Sequence, residues 1–475
     1  MSEELIEKRK NNGRKLAVIL CSAAAIIAAT AVFAVYFIKK HGDYKLYSFV
    51  LPFLTLALFT SIVVLWMPRL IDALSGRDER SLSLPETRAK SIAGRFALVC
   101  GVALILHIAA GLLGAYVYRL TKGDEVAGMP LLRLWHNAWM KLNTDAGHYL
   151  NIAENGYAKE GHDALLLVFF PLFPALIARL NLIFRDYFLT AQILNTAATC
   201  LTAGMTYLTL RPLLGDRRAV SGAFIYLLLP GAIFMNSPMT EPLFMLLTVC
   251  GFYCIGKKQF VLAAVFTALA GYTRSLGVLL IVPLAIAGIG NIVSLAREHK
   301  PWLAQAGMLL FALAVSTLGT FEYLYLNYSM HGKFTKFLEY QESNWFQKAS
   351  PFFDTPRYYL DRIVLYLGMD SIAPVVSLWV SGSIAIFGSL AVMLRRGRSK
   401  ELPAGYTAYF LCYFAVAIGC TWLLSAMRYL CAAFPVAAAL AVGCNKKWKT
   451  ALTFTFLVLT YLIYMWMYML RFDVY

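Results

Sequence analysis

The chain has 475 residues, of which 60% are hydrophobic and only 15% are charged. Its mean hydropathy is +0.63, whereas a soluble domain carries roughly 25% charged residues. A soluble fold could not bury this much apolar surface, so the composition predicts an integral membrane protein. The formal charge of +17 does not indicate nucleic-acid binding, because Lys and Arg collect in short loops between apolar segments, as the positive-inside rule expects.

Apolar runs mark the candidate membrane spans, since a spanning helix needs roughly 20 apolar residues. Nine runs reach that length without Asp, Glu, Lys or Arg: 16–38, 46–67, 96–118, 188–210, 276–296, 302–321, 372–394, 404–424 and 450–470. Five shorter or interrupted runs lie at 164–183, 219–235, 243–255, 260–272 and 429–443. Because the first of these five contains Pro171 and Pro174, we expect it to be broken or re-entrant. The prediction is an all-α polytopic membrane protein with about 13 transmembrane helices.

The distribution of Lys and Arg predicts the orientation of the chain. The N-terminal segment and the basic stretches at 69–95, 211–218, 257–258, 297–300, 395–400 and 446–449 are predicted to be cytoplasmic. The loops 121–163, 236–242 and 329–369, and the junctions at Arg274 and Arg428, are then external. The lysines at 39, 40 and 45 run against this pattern. We expect a cytoplasmic N-terminus and an external C-terminus.

The two long external loops are not simple connectors. Apolar residues of the loop 121–163 recur at helical spacing, which predicts helices lying in the membrane interface; they are Leu131, Leu132, Trp135 and Trp139. The loop 329–369 is rich in aromatic residues, Trp345 among them. Aromatic faces pack on sugar rings and lipid chains, and an interfacial aromatic belt is the alternative interpretation.

Metal and disulfide chemistry has little support in the sequence. The nine cysteines lie in apolar runs or at their ends and form no CxxC pair, so we interpret them as small apolar residues. The first external loop holds His136, His148 and His162 without an HExxH motif. We predict no metal site and no cofactor, and the need for a divalent ion stays open.

Two carboxylates and two arginines stand out on the predicted external side. Asp145 could cap a helix that starts near Ala146, and Glu241 could lie in the first turn of a helix. Arg274 and Arg428 could extend to lipid headgroups, but isolated arginines on this side run against the positive-inside trend. Arginine suits bidentate phosphate binding. A cationic pair near a carboxylate therefore indicates transfer from a phosphate-linked donor, with the carboxylate as base.

The segment around Asp145 carries a family resemblance. Asp-Ala-Gly-His-Tyr-Leu-Asn-Ile-Ala-Glu-Asn-Gly-Tyr at 145–157 is followed by Phe-Phe-Pro-Leu-Phe-Pro at 169–174. The stretch 237–244 with Glu241, Thr-Arg-Ser at 273–275 with Gly277, and Arg428-Tyr429 with Phe434-Pro435 follow in order. This arrangement resembles the PIG-V-type mannosyltransferases, whose eukaryotic members add the second mannose to GPI anchors. The resemblance covers roughly residues 130–440.

The resemblance implies a GT-C type glycosyltransferase fold and an inverting transfer from a polyprenyl-phosphate sugar, usually mannose, to a lipid or glycan acceptor. Carried over by motif, Asp145 would be the catalytic base, and Glu241, Arg274 and Arg428 would line the donor site. We predict substrate-binding roles for four further residues: His148, Tyr149, Tyr157 and Trp345. The reaction would occur on the extracellular or lumenal side of a multi-pass protein in the cell membrane, or in the endoplasmic reticulum membrane of a eukaryote.

The chain departs from the family in two respects. The family usually has Trp immediately before the catalytic Asp, and Thr144 stands there in this chain, which puts sugar or acceptor specificity in doubt. Residues 1–95 are predicted to be a two-helix membrane extension with basic cytoplasmic segments, ahead of a catalytic domain at 96–475. An extended bacterial-type relative fits this pattern better than a GPI-pathway enzyme.

Two other classes of protein stay open. A transporter or lipid flippase predicts inverted repeats and charged residues near the bilayer midplane, and the sequence shows no such repeat. A structural membrane subunit gives no reason for the residues around Asp145.

Overall fold

The computed structural model describes residues 46–77, 89–140 and 144–475, together with isolated positions between 13 and 39. Within these ranges the regular structure is helical, and the β contact is an isolated bridge between Ala349 and Cys420. The predicted all-α polytopic class is therefore confirmed. Most of the predicted first helix, 16–38, lies outside the described residues.

Eighteen helices are numbered here in chain order through the described ranges. The first nine are α1 Val50–Leu74, α2 Ala89–Lys122, α3 Leu131–Trp139, α4 Asp145–Asn155, α5 Leu172–Phe184, α6 Tyr187–Leu214, α7 Asp216–Leu228, α8 Glu241–Gly256 and α9 Phe260–Thr273. The others are α10 Ile281–Arg297, α11 Leu303–His331, α12 Lys336–Trp345, α13 Asp354–Leu367, α14 Ile372–Gly397, α15 Ala404–Ala417, α16 Ala426–Cys431, α17 Phe434–Gly443 and α18 Lys447–Met469. Short 3-10 segments precede α5, α8 and α10 at His162–Val168, Pro230–Asn236 and Ser275–Leu280.

Six of the helices are long and apolar enough to cross a membrane, namely those containing α1, α2, α10, α11, α14 and α18. The number is eight if each of two bent helix pairs is one span, and α8, α9, α15 and α17 are shorter apolar helices. Helix α6 has 28 residues but is more polar, because it contains several threonines together with Gln192 and Asn195. The chain is a multi-pass membrane protein, and about 13 crossings stays a prediction.

The predicted break at Pro171 and Pro174 is present. The segment His162–Val168 and helix α5 meet at an angle of 112°. Helix α11 holds this corner in place, because the Tyr323 hydroxyl donates to the Leu167 carbonyl at 2.8 Å and its ring stacks on Phe170. Irregular backbone is tolerated at membrane depth where protein buries it.

The first described helix belongs to the same packed body as the C-terminal half. The Trp66 indole of α1 donates to the Ala404 carbonyl at 3.0 Å, and the hydroxyl of Ser48, just before α1, donates to Asp361 at 2.7 Å. The division of the chain at residue 95 stays a prediction.

The loops 121–163 and 329–369 are largely helical. Helices α3 and α4 lie in the first loop, as the apolar spacing predicted, and α12 and α13 lie in the second. The second loop contacts the segment before α16: the Trp422 indole donates to the Phe346 carbonyl at 2.9 Å, and the Tyr359 hydroxyl donates to the Leu423 carbonyl. The second loop thereby contacts the residues that lead to Arg428.

Candidate active site

Four charged side chains from four separate elements meet in one cluster. Asp145 is the first residue of α4 and Glu241 the first residue of α8, while Arg274 follows α9 and Arg428 lies in α16. Arg428 donates from Nη2 to Asp145 Oδ2 at 2.6 Å, and its Nε lies 3.1 Å from Glu241 Oε1. Arg274 donates from Nη1 to the same Glu241 oxygen. Glu241 therefore bridges both arginines, and Asp145 pairs with one of them.

Exposure differs sharply within the cluster. The side chains of Glu241 and Arg428 are 4% and 7% exposed, whereas that of Asp145 is 31% exposed. Buried charges are tolerated where they are paired, and two carboxylates with two guanidiniums make a formally neutral group. Asp145 is thus the member of the cluster that an approaching molecule reaches most easily.

The sequence also allowed a purely structural role for each carboxylate at the start of a helix, and the helix bounds test both positions. The helix expected to start near Ala146 begins at Asp145 itself, and Thr144 occupies the N-cap position with an extended backbone (φ −118°, ψ 161°). The proposed cap position for Asp145 is therefore wrong, and its carboxylate pairs with Arg428 instead. Glu241 does lie in the first turn of α8. Both carboxylates sit at helix N-termini, where the helix dipole favours negative charge.

Both arginines are enclosed by protein. Arg274 and Arg428 are buried, which contradicts the alternative that they extend to lipid headgroups. The Arg274 guanidinium carbon lies 4.4 Å from the Tyr429 ring centroid, and its Nη1 donates to Thr240 Oγ1 at 3.2 Å. The Phe234 ring centroid lies 5.6 Å from the guanidinium carbon of Arg428. Aromatic faces attract guanidinium groups, so these neighbours fix both cations in place.

The carboxyl group of Asp145 is held in its ionised form. Burial alone would raise its pKa, but the charge and hydrogen bond of Arg428 lower it, with smaller contributions from His148 and Arg274. The balance leaves the pKa of Asp145 below its usual value. The pKa of His148 is also lowered, chiefly by burial and against the opposing charge of Asp145, so the imidazole is neutral near pH 7.

The four predicted substrate-binding residues come together around Phe169. Its ring centroid lies 5.1 Å from those of His148 and Tyr149 and 6.1 Å from that of Trp345. The Tyr157 hydroxyl donates to the Phe169 carbonyl at 2.7 Å. The structure therefore brings together every residue that the sequence singled out as a candidate, and the role of each stays a prediction.

Three neighbours of the cluster were not predicted as site residues. Phe169, Tyr429 and Thr240 contact the candidate residues directly. Each stands beside or within a quoted motif, so its position was visible in the sequence. The contact of each residue with the cluster could not be predicted from the sequence, because such contacts depend on packing between distant segments.

Two glycines allow the close backbone approaches on which the cluster depends. A Cβ at Gly277 would lie 2.0 Å from the Ala270 carbonyl carbon, and a Cβ at Gly231 would lie 2.6 Å from the Met427 carbonyl oxygen and 3.0 Å from Arg428 Cα. A larger residue at either position would have to displace backbone. Gly231 therefore sets how closely the segment Pro230–Asn236 approaches α16.

Substitution Gly231→Ala should lower the free energy of unfolding by about 1–3 kcal/mol, the usual cost of overpacking. The physical reason is the contact with Met427 and Arg428, which cannot relax without moving α16. Denaturant unfolding of the purified variants measures the effect. Gly307→Ala is the matched control, because a Cβ there meets nothing within 4 Å. Equal stability of the two variants would contradict the expectation.

Within the described ranges, no three His, Cys, Asp or Glu side chains lie close enough together to hold a metal ion.

Comparisons with known proteins give distant structural likenesses. No family model and no curated protein matches this sequence. The fold is similar to the crystal structure of ArnT from Cupriavidus metallidurans in the apo state, with 14% identity, a TM-score of 0.45, and coverage of 74% of this chain and 61% of ArnT. It is also similar to the oligosaccharyltransferase AglB from Archaeoglobus fulgidus in complex with an inhibitory peptide and a dolichol-phosphate, with 13% identity, a TM-score of 0.37, and coverage of 78% of this chain and 56% of AglB. The chain spans less than two thirds of the length of either protein, and likenesses with TM-scores below 0.5 identify no function.

Proposed function

We propose that this chain is an integral membrane glycosyltransferase that moves a sugar from a polyprenyl-phosphate donor to a lipid or glycan acceptor, with inversion at the anomeric carbon. One observation carries the proposal: Asp145 and Arg428 are 283 positions apart in the chain and form a direct ion pair, in contact with Glu241 and Arg274. A partly accessible carboxylate beside two buried guanidiniums is the set of groups that such a transfer needs.

In the proposed reaction, Asp145 accepts the proton of the acceptor hydroxyl. The acceptor oxygen forms a bond to the anomeric carbon as the bond between that carbon and the phosphate oxygen breaks. The electron pair of the broken bond goes to the phosphate, whose negative charge Arg274 and Arg428 stabilise. No nucleotide-binding loop is needed, because the donor is carried by a lipid.

In the proposed reaction, the donor phosphate also changes the state of Asp145, because Arg428 is paired with that carboxylate. A phosphate that binds Arg428 competes with Asp145 for the same guanidinium. As Asp145 loses this partner, its carboxylate becomes free to accept a proton and its pKa rises toward the value that favours a base. Glu241 keeps both arginines oriented during this exchange, because it contacts each of them.

The motif resemblance supports mannose as the transferred sugar. The rings of His148 and Trp345 contact Phe169 and are partly exposed, so they suit packing on a sugar ring. Thr144 stands where the resembling family has Trp, and we propose that recognition of the acceptor differs here. The Lys and Arg counts support an active site on the extracellular or lumenal side, with the N-terminus in the cytoplasm.

The pH dependence of transfer should follow the lowered pKa of Asp145. The base form is present above the folded pKa, so we expect kcat/KM to be level from about pH 5.5 to 7.5 and to fall only below about pH 4. The ion pair with Arg428 stabilises the fold over the same range and is lost as the pH falls through that pKa. Initial rates at donor concentrations well below KM measure the profile, because kcat/KM reports the groups of the free enzyme. An acid limb above pH 6 would place the base on another residue, such as His148.

Deletion of the gene tests the proposal in the cell. Mass spectrometry of the lipids and glycans should show the unmodified acceptor accumulating and the glycosylated product disappearing. The wild-type gene and Asp163→Asn, which alters an exposed carboxylate of the same loop, should restore the product, and Asp145→Asn should not. An unchanged set of lipids and glycans, or equal rescue by both variants, would contradict the proposal.

A further inference from the structure

A cavity lies far from the cluster, at the opposite end of α8. Its volume is about 510 Å³, and residues of α1, α6, α8, α10 and α15 line it. Glu241 begins α8, whereas Lys257 follows the last residue of that helix. A helix of 16 residues is about 24 Å long, so this cavity is separate from the candidate active site.

The walls and the rim of this cavity have different chemistry. Apolar side chains form most of the wall, among them Leu208, Phe252 and Ile286. Among the described residues that line it, the charged side chains are Lys257 and Lys258, and none is a carboxylate. Both lysines are exposed. The cavity thus combines an apolar interior with a cationic rim.

We propose that this cavity binds an anionic phospholipid, with an acyl chain against the apolar wall and the headgroup phosphate on Lys257 and Lys258. The volume lies in the usual range for ligand sites, about 300–1,000 Å³. A free phosphate ion would not contact the apolar wall favourably, and a neutral lipid would not be attracted by the two lysines. Basic pockets between transmembrane helices on the cytoplasmic side bind such headgroups.

The predicted orientation of the chain agrees with this occupant. The Lys and Arg counts place Lys257 and Lys258 on the cytoplasmic side, where anionic lipids give the membrane surface its negative potential. The proposed donor, by contrast, would bind at the external end of α8. The lipid site is therefore independent of the transfer chemistry.

Lipid binding to the purified full-length protein in detergent tests the charge of the ligand. Phosphatidylglycerol should raise the unfolding temperature and remain bound in native mass spectra, and phosphatidylcholine should do neither. The double variant Lys257→Gln/Lys258→Gln should bind phosphatidylglycerol about 20-fold more weakly. The pair Lys446→Gln/Lys447→Gln, also exposed and predicted to be cytoplasmic, is the matched control and should bind like wild type.

Filling the cavity tests the position of the acyl chain. Gly256 lines the cavity at an exposed position, and a Cβ there meets nothing within 4 Å, so Gly256→Leu adds a side chain to the lining without a clash and should weaken the stabilisation by phosphatidylglycerol. Gly307→Leu, with equally open surroundings, is its control. Ala287→Leu adds a larger side chain to the same cavity from α10 and should also weaken the stabilisation by phosphatidylglycerol. The test therefore does not depend on the folding of Gly256→Leu.

Three outcomes would overturn the proposal. Equal binding of phosphatidylcholine would remove the role of charge. An equal stabilisation by inorganic phosphate alone would identify a free anion as the ligand. Undiminished phosphatidylglycerol binding by both cavity-filling variants would mean that the lipid adsorbs at the surface.

Discussion

Substitution Asp145→Asn should slow sugar transfer from a polyprenyl-phosphomannose donor by about 10²- to 10⁴-fold, the usual contribution of a general base. Asparagine has nearly the same shape but cannot take the proton of the acceptor hydroxyl. Binding of the donor should be retained, because both arginines keep Glu241 as a partner and the charge of Asp145 no longer competes with the phosphate for Arg428. Initial rates with a labelled donor, together with donor affinity, measure both parts.

The control for this variant is Asp163→Asn. Asp163 lies in the same loop, 121–163, and is exposed, and it accepts a hydrogen bond from Asn151 at 3.3 Å. The Asp163→Asn variant should transfer sugar at the wild-type rate. Full activity of Asp145→Asn would exclude this residue as the base. Loss of donor binding together with activity would indicate that Asp145 orders the site rather than reacting.

Substitution Arg428→Ala should have the largest combined effect on stability and activity. Its guanidinium joins the two carboxylates, Asp145 at 2.6 Å and Glu241 at 3.1 Å. Removing one partner from a buried charge network costs about 3–5 kcal/mol, and removing a group that stabilises developing charge slows a reaction by about 10²- to 10³-fold. Denaturant unfolding and single-turnover transfer measure the two effects separately.

Substitution Arg428→Lys separates the charge from its geometry. Lysine keeps the positive charge, but its single ammonium lacks the planar fork that contacts Asp145 and Glu241 together. We expect stability between those of wild type and Arg428→Ala, with activity still reduced. Arg133→Ala, an exposed arginine of α3, is the matched control. Wild-type transfer by Arg428→Lys would contradict a bidentate role, and wild-type transfer by Arg428→Ala would exclude Arg428 from the reaction.

In the proposed mechanism, the contact between Arg428 and Asp145 would allow a formally neutral cluster to bind a phosphate-linked donor. Without the donor, each buried guanidinium has a carboxylate partner, so the desolvation of charge is compensated. The more exposed carboxylate, that of Asp145, is the one that a phosphate displaces most readily. Under this proposal, the cations would be paired with carboxylates in the free protein and would bind the phosphate when the donor enters.

Local sequence pattern predicted the features that depend on neighbouring residues. The break at Pro171 and the helices around Trp139 and Asp145 follow from residue type and spacing, and the structure shows both. The predicted position of Asp145 at the N-cap is wrong by one residue, which is the scale on which helix ends vary.

Contacts between distant segments could not be predicted in the same way. No local signal shows that Glu241 bridges Arg274 and Arg428, or that Trp345 and Phe169 contact each other. The contacts of Glu241 arise because α8 is almost wholly buried among other helices, so its first residue faces residues from several distant parts of the chain. The motif resemblance named most of these residues, and the fold determines which of them touch.

The most direct test of the proposed function is to measure transfer of the sugar from donor to acceptor. Purified protein in liposomes, given polyprenyl-phosphomannose and a membrane-lipid acceptor fraction, should release one polyprenyl phosphate for each mannose transferred. Nuclear magnetic resonance of the product should show the anomeric configuration opposite to that of the donor. If no sugar is transferred from polyprenyl-phosphomannose or from other lipid-phosphate sugars, and substrate is taken up into the vesicles, the proposed glycosyltransferase function is contradicted and a transporter is favoured.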